Sequence, residues 1–413
     1  MVLGGNIVQT EAIREAVRLG CHTICADIHR DAPGHVDASE SCYIDITDRE
    51  EVLRQARKFA IDGIMPYCSD TLAPIAAYVA EQMGLPGNPY DSVMTLVRKD
   101  RFRAFLKSNG FPVPESGAFD SEADAIAFYD TIASSGNDAI MKPADSSGSR
   151  GVFRISSKED IKRHWAESMS FSQCRKVILE QFIEKKGLEV DGDFFVSEGK
   201  IIFAGFLDQH HLAGSAAYFI PVTLSSPCTK PDVVKRQVVS ELQRLLHLLK
   251  IQTGPFNVEW IEGKDGKIYF LDIGPRNGGC QIPLLEEKAY GFPELEYTVR
   301  SAVGSSSLRW SRSEPPSAVM YYRPSSYTAG RYIGLRISDA FKQHIFNIVH
   351  LCKPGANVRK PVNGSDSTDV VFASFGDTAT MDQYIENIWN HVSVEVEDMI
   401  DKEIGCETED EGA

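Results

Sequence analysis

The chain has 413 residues, room for roughly two to four domains or lobes. Its 43 Lys+Arg against 58 Asp+Glu leave a net charge of -15. That balance excludes a broad nucleic-acid-binding surface, yet leaves a nucleotide site open, because a few placed lysines and a bound cation can dominate one cleft. With 43% hydrophobic residues and no apolar run of about 18, the chain reads as a globular protein with no membrane-spanning helix. No signal-peptide pattern follows Met1. The nine cysteines are scattered, without CxxC or zinc spacing, and read as free thiols in a reducing cytoplasm.

Residues 1–98 alternate between strand and helix. A short strand opens at 1–4, short enough to suggest a start codon upstream. Gly5–Asn6 then turn into a helix carrying Ile7, Ala12, Ile13, Ala16 and Val17. Strands are predicted at 22–28, 43–46 and 63–67, and helices at 49–59 and 72–83. This alternation predicts a parallel sheet with helices on both faces.

After a predicted helix at 99–108, Pro112 and Pro114 interrupt the chain. Strands are predicted at 139–143, 151–155, 176–182, 187–196, 200–207 and 218–224. A helix at 233–249 and strands at 254–261 and 267–273 follow, around a turn at 263–266. Strands outnumber helices here, as in an antiparallel-rich α+β domain. A last segment has strands at 318–322, 345–351 and 370–375, a turn at Lys353–Pro354–Gly355, and a helix at 380–392. The acidic end, 407–412, is expected to be disordered.

Three blocks carry chemistry. Met141–Lys142–Pro143 leads into Asp145–Ser146–Ser147–Gly148–Ser149–Arg150–Gly151. There a strand delivers a lysine, and small residues, Ser147 and Gly148 among them, let backbone N–H groups approach phosphate oxygens. It is not a Walker A loop, since the lysine precedes the small residues. A surface turn between strands is the alternative. In Val177–Ile178–Leu179–Glu180–Gln181–Phe182–Ile183, an apolar strand could present backbone groups to a planar base, with Ile183 packing on its face. Glu189 could accept hydrogen bonds from ribose hydroxyls. A plain core strand is the alternative.

The third block is the most specific. Phe256–Asn257–Val258–Glu259–Trp260 precedes Leu271–Asp272–Ile273–Gly274–Pro275–Arg276–Asn277. A hairpin would set Glu259 and Asp272 side by side, where two buried carboxylates repel unless a cation intervenes. Such hard oxygen ligands beside phosphates suit Mg²⁺. Arg276 could stabilise charge on a transferring phosphoryl group. An exposed acidic hairpin is the alternative. For substrate, His210 and His211 follow a strand that should reach the cleft, and Arg323 offers a bidentate carboxylate site.

In order and spacing these blocks resemble the ATP-grasp superfamily over roughly residues 1–390, most nearly its carboxylate–amine ligases. Leu3–Gly4–Gly5–Asn6 with Ala26–Asp27 resembles the Rossmann-like pre-ATP-grasp domain of the carbamoyl-phosphate synthetase and biotin carboxylase groups. The resemblance implies a pre-ATP-grasp domain over 1–98, an ATP-grasp domain over 99–300 with a lid at about 112–182, and a C-terminal α+β subdomain over 301–413. It further implies ATP with Mg²⁺ (or Mn²⁺), small carboxylate and amine substrates and, by analogy alone, a homodimer. By position, Lys99 and Lys142 match the phosphate lysines, Glu180, Gln181 and Ile183 the adenine linker, and Glu189 the ribose contact. Glu259 and Asp272 match the metal ligands, with Arg276 near the γ-phosphate. Relatives often carry Asn where this chain has Gly274, so Asn277 is the expected substitute ligand. The implied chemistry is an acyl phosphate attacked by an amine, under a lid formed by residues 146–151. A bicarbonate-phosphorylating carboxylase, a purine-pathway ligase and a non-catalytic nucleotide-binding module are the rivals.

Overall fold

The computed structural model describes residues 1–211, 219–305, 308–312 and 314–397. The acidic tail and the start of the strand predicted at 218–224 lie outside these residues. Among them, no helix is long and apolar enough to cross a membrane.

Strands Val2–Leu3, Ile24–Ala26 and Glu40–Cys42 form a parallel sheet in that order, and Met65 adds a parallel bridge on the other side of Val2. Side chains alternate between the two faces, as the strand repeat of two requires. Leu3, Ile24 and Ala26 pack on Val52, Leu53, Ile75 and Val79 of helices Arg49–Lys58 and Ala73–Met83. Val2 and Cys25 pack on Ala12, Ile13 and Ala16 of helix Ile7–Arg18. The strand predicted at 43–46 instead falls at Glu40–Cys42, because Asp45 turns the chain by accepting from Thr47 N at 2.9 Å. The strand predicted at 63–67 shrinks to the Met65 bridge; Pro66 has no N–H to extend it.

A second sheet is antiparallel, in the order Ser116–Phe119, Val177–Gln181, Ala139–Pro143, Phe153–Ile155. Helices Glu122–Ala133 and Lys158–Ser170, neither of them predicted, close its core through Ala125, Tyr129, Ile132 and Ile161. Both start on serine caps, Ser121 and Ser157.

The third sheet has ten strands and is antiparallel throughout. Its centre is Gly254–Glu262, paired with Asp193–Ser197, Glu189–Asp191 and Ile268–Gly274. The predicted strand 187–196 breaks at Gly192, where a Cβ would stand 2.5 Å from the Gly205 carbonyl oxygen. Leu207–His211 and Pro221–Ser226 extend the sheet to Val319–Tyr322, Asp369–Ser374 and Ile345–His350. One sheet therefore runs unbroken from the Glu259–Asp272 hairpin into the C-terminal segment. Helix Asp232–Leu248 seals its core with Val238, Leu242, Leu245 and Leu246 against Phe256, Val258 and Trp260. The helix predicted at 380–392 splits at Asn387 (φ -130°) into Thr378–Glu386 and Ile388–His391, and Val392 starts a strand. That strand, Val392–Glu397, pairs with Gly330–Ile337 in a small separate sheet.

Candidate active site

A cavity of about 460 Å³ opens where the three units meet, within the range of ligand-binding clefts. Its apolar lining includes Ile140, Val152, Ile183, Ile261 and Leu271, together with Gln181 and Phe182. Its polar lining includes Asn6, Gln9, Asp70, Arg276, Tyr321 and Arg323.

Lys99 and Lys142 also line the cavity. Lys142 Nζ lies 2.5 Å from Glu180 Oε1, and Arg103 Nε lies 2.8 Å from Glu180 Oε2. Burial pushes the Lys142 ammonium below its usual range against the pull of Glu180. Glu180 is itself buried, which would raise its pKa, but Arg103 and Lys142 hold it down to about 2. The Glu180 carboxylate thus fixes two cations. Arg103 escaped the sequence reading; its position one turn after Lys99 on helix Lys99–Ser108 was the available signal.

Glu259 and Asp272 are direct cross-strand partners, as the hairpin required. Lys99 Nζ binds Asp272 Oδ2 at 2.7 Å and donates to Ser146 O at 3.0 Å. Burial would raise Asp272, but Lys99 keeps it below its usual range. Glu259 moves the opposite way: burial, then the charges of Asp191, Asp272 and Glu189, push it far up. Two adjacent carboxylates, one of them destabilised as an anion, are a donor set that fits a hard divalent cation. Glu189 lines the cavity beside Lys185 Nζ, 3.3 Å away, and burial raises it.

Arg276 forms a bidentate pair with Asp70, at 2.8 and 2.7 Å. Asp70 comes from the N-terminal domain, so no local sequence signal marks it. The pair also explains Gly274: a Cβ there would stand 2.7 Å from Asp70 Oδ1 and 2.8 Å from the Arg276 guanidinium carbon. A side chain at 274 would displace that ion pair.

Two expectations are corrected. Asn277 does not join Glu259 and Asp272; its amide donates to Glu294 Oε1 at 2.7 Å and Thr298 Oγ1 at 3.0 Å. Of the histidine pair, only His211 lines the cavity. His210 is on the opposite strand face, with Nε2 2.9 Å from Ser225 Oγ. Burial lowers the His211 pKa to about 3, so its ring is neutral.

A buried acidic group was also missed. Asp193, Glu286 and Glu294 bring carboxylate oxygens within 4.8 Å of one another. Asp193 accepts from Gly278 N at 2.7 Å and from Asn257 Nδ2 at 3.0 Å, tying the 278 turn to the sheet. Burial raises all three, most strongly Glu286 and Glu294, whose protonated forms relieve the repulsion.

Residues 146–151 roof the cavity. Ser149 Oγ donates to Phe219 O at 2.8 Å, and Ser149, Gly148 and Gly151 all take positive φ. A family model described as the ATP-grasp domain matches residues 136–283. Over that stretch the chain is similar to ATP-grasp domains. That match spans the Lys142 strand, the roofing loop and the Glu259–Asp272 hairpin.

The carbamoyl phosphate synthase large chain of Thermotoga neapolitana is 26% identical over 278 residues, 65% of this chain. This chain covers only 24% of that relative's length. The L-amino acid ligase structure from Bacillus licheniformis superposes with a TM-score of 0.80 at 19% identity, covering 96% of this chain and 98% of that one. The biotin carboxylase domain of Hydrogenobacter thermophilus 2-oxoglutarate carboxylase, solved with MgADP, ADP and bicarbonate, gives 0.74 at 16% identity, covering 96% and 90%. At these identities the two structures show that this chain shares their overall fold.

Proposed function

We propose that this chain is an ATP-dependent ligase. It transfers the γ-phosphoryl group of ATP to a small substrate carboxylate, then joins the acyl group to an amine, releasing ADP and phosphate. The observation that carries this reading is the lining of one cavity. Ile140, Ile183, Ile261 and Leu271 offer it an apolar slot, and the same cavity holds Lys99, the cross-strand pair Glu259 and Asp272, Arg276 and Arg323.

In this reading the adenine lies in the slot against Ile183 and Ile261, next to the backbone of 181–183, and Glu189 accepts from the ribose. Lys142 and Lys99 contact the phosphates. Glu259 and Asp272 would hold Mg²⁺, which neutralises phosphate charge when bound; Mn²⁺ meets the same oxygen donors. Asp70 orients the Arg276 guanidinium toward the transferring phosphoryl group. Arg323 is buried, and among the described residues its Nε has no hydrogen-bond partner, so it suits the substrate carboxylate. The roofing loop excludes water from an acyl phosphate that water would destroy. Catalysis is then positioning plus electrostatics.

The test is ATP-dependent phosphate release with pooled amino acids and small acids, with Glu259→Gln as control. Release that requires both a carboxylate and an amine supports the ligase. Absence of turnover with every pool, alongside ATP-stabilised melting, makes the chain a nucleotide-binding module instead.

A further inference from the structure

The roofing loop is tied to the C-terminal segment. Gly364 N–H donates to Gly148 O at 3.0 Å, and Gly148, Gly364 and Ser365 all line the cavity. Gly364 opens a 3-10 turn, Gly364–Asp366, built with unusual care for three residues. Asn363 accepts from Ser365 N at 2.8 Å, while Asp366 accepts from Asn363 N at 3.1 Å and Val362 N at 2.9 Å. Arg359 Nε adds an ion pair to Asp366 at 3.0 Å. Such reciprocal capping fixes the turn before any loop docks on it.

The same turn is gripped from the substrate end. Arg323 Nη2 donates to Gly364 O, so one peptide unit away from the loop contact the turn meets the guanidinium proposed for the substrate. The chain around Arg323 is joined to the turn again by the Ser325–Ser367 bridge and by Thr368 N to Pro324 O at 2.9 Å. The turn and the loop are in close contact here: a Cβ on Gly364 would sit 3.3 Å from Gly148 O.

We infer that the turn Gly364–Asp366 is a latch that holds residues 146–151 closed over the nucleotide, and that Arg323 braces it from the substrate end. Gly364 is a positioning residue, acting on the reaction through the loop. The inference rests on the nucleotide reading of the cleft, and its test separates the two.

Gly364→Pro deletes the donor. Asn363 is extended (φ -154°, ψ 175°), as a residue before proline must be, and Gly364 is the first position of the turn, where proline is accommodated. Asp366→Ala, which unmakes the cap without touching the loop, serves as the second variant. Arg150 offers trypsin a cut inside the loop. With Mg²⁺ and a non-hydrolysable ATP analogue, cleavage after Arg150 slows in the wild type. In Gly364→Pro and Asp366→Ala it is faster by about tenfold, the worth of one hydrogen bond, while circular dichroism shows both variants folded. The ADP formed per amide product rises in parallel, because an open loop admits water. Arg323→Met weakens protection in the same direction. Equal protection of all variants and wild type overturns the latch and leaves the nucleotide site standing. A wild type that the analogue fails to protect overturns the nucleotide reading, and the latch with it.

Discussion

Lys142 and Glu180 lie 2.5 Å apart, and Arg103 closes on the same carboxylate from the other side at 2.8 Å. The lysine offered to phosphate is therefore pre-positioned by a buried anion that two cations share. Removing one member of such a group leaves the others uncompensated, at a cost of about 3–5 kcal/mol.

Glu180→Gln should accordingly lower unfolding stability by about 3 kcal/mol in urea titrations at pH 7. The pH dependence has a definite sign. Folded Glu180 holds its proton only near about 2, against 4.5 for the ordinary side chain. Its contribution is complete above pH 4.5 and is lost as pH falls toward 2. Wild type and variant should converge in stability across that window.

Glu259→Gln should act in the opposite sense on stability. The carboxylate is raised far above its usual range by burial and by Asp191, Asp272 and Glu189. Above the ordinary glutamate pKa of 4.5, folding has to retain a proton or bury the anion; below it the penalty disappears. The metal-free variant should melt a few degrees higher than wild type at pH 8, with no difference near pH 4, and turnover should fall by roughly 10²-fold or more. Scanning calorimetry without and with Mg²⁺ checks both, since the cation should stabilise the wild type and not the variant.

Asp70→Asn should release Arg276 from its bidentate hold. We expect kcat to fall by roughly 10-fold to 10²-fold with little change in KM for ATP, as befits an orienting contact. Arg276→Lys should be no better, because an ammonium cannot reproduce two parallel bonds to Asp70.

Asn277→Ala should cost about 1–3 kcal/mol of stability, since it strands Glu294 and Thr298 in the interior. It should leave the Mg²⁺ concentration that gives half-maximal rate unchanged. A shifted Mg²⁺ dependence would return Asn277 to the metal site.

The sequence made legible whatever is local. The Lys99–Ser108 helix and the Ala139–Pro143 strand fall where predicted, and the two-residue repeat across a short hairpin is enough to pair Glu259 with Asp272. Relations across the fold stayed hidden. Asp70 reaches Arg276, and Arg103 reaches Glu180, only through tertiary packing. Asn277 looked like a ligand because it follows Asp272 closely, yet helix Glu294–Ala302 lies nearer to its amide. The histidines were read as a pair, although neighbours on a strand point to opposite faces. Nor does spacing reveal that the C-terminal strands join the central sheet, because their partner Pro221–Ser226 lies far back in the chain.

The central claim is that a carboxylate is activated as an acyl phosphate. The most direct measurement is oxygen transfer: incubate the enzyme, ATP and Mg²⁺ with amine and a pool of ¹⁸O-carboxylate acids, then read the phosphate by mass spectrometry. One ¹⁸O atom per phosphate, with ADP as the nucleotide product, is the predicted result. Unlabelled phosphate alongside amide product, or AMP in place of ADP, would contradict it.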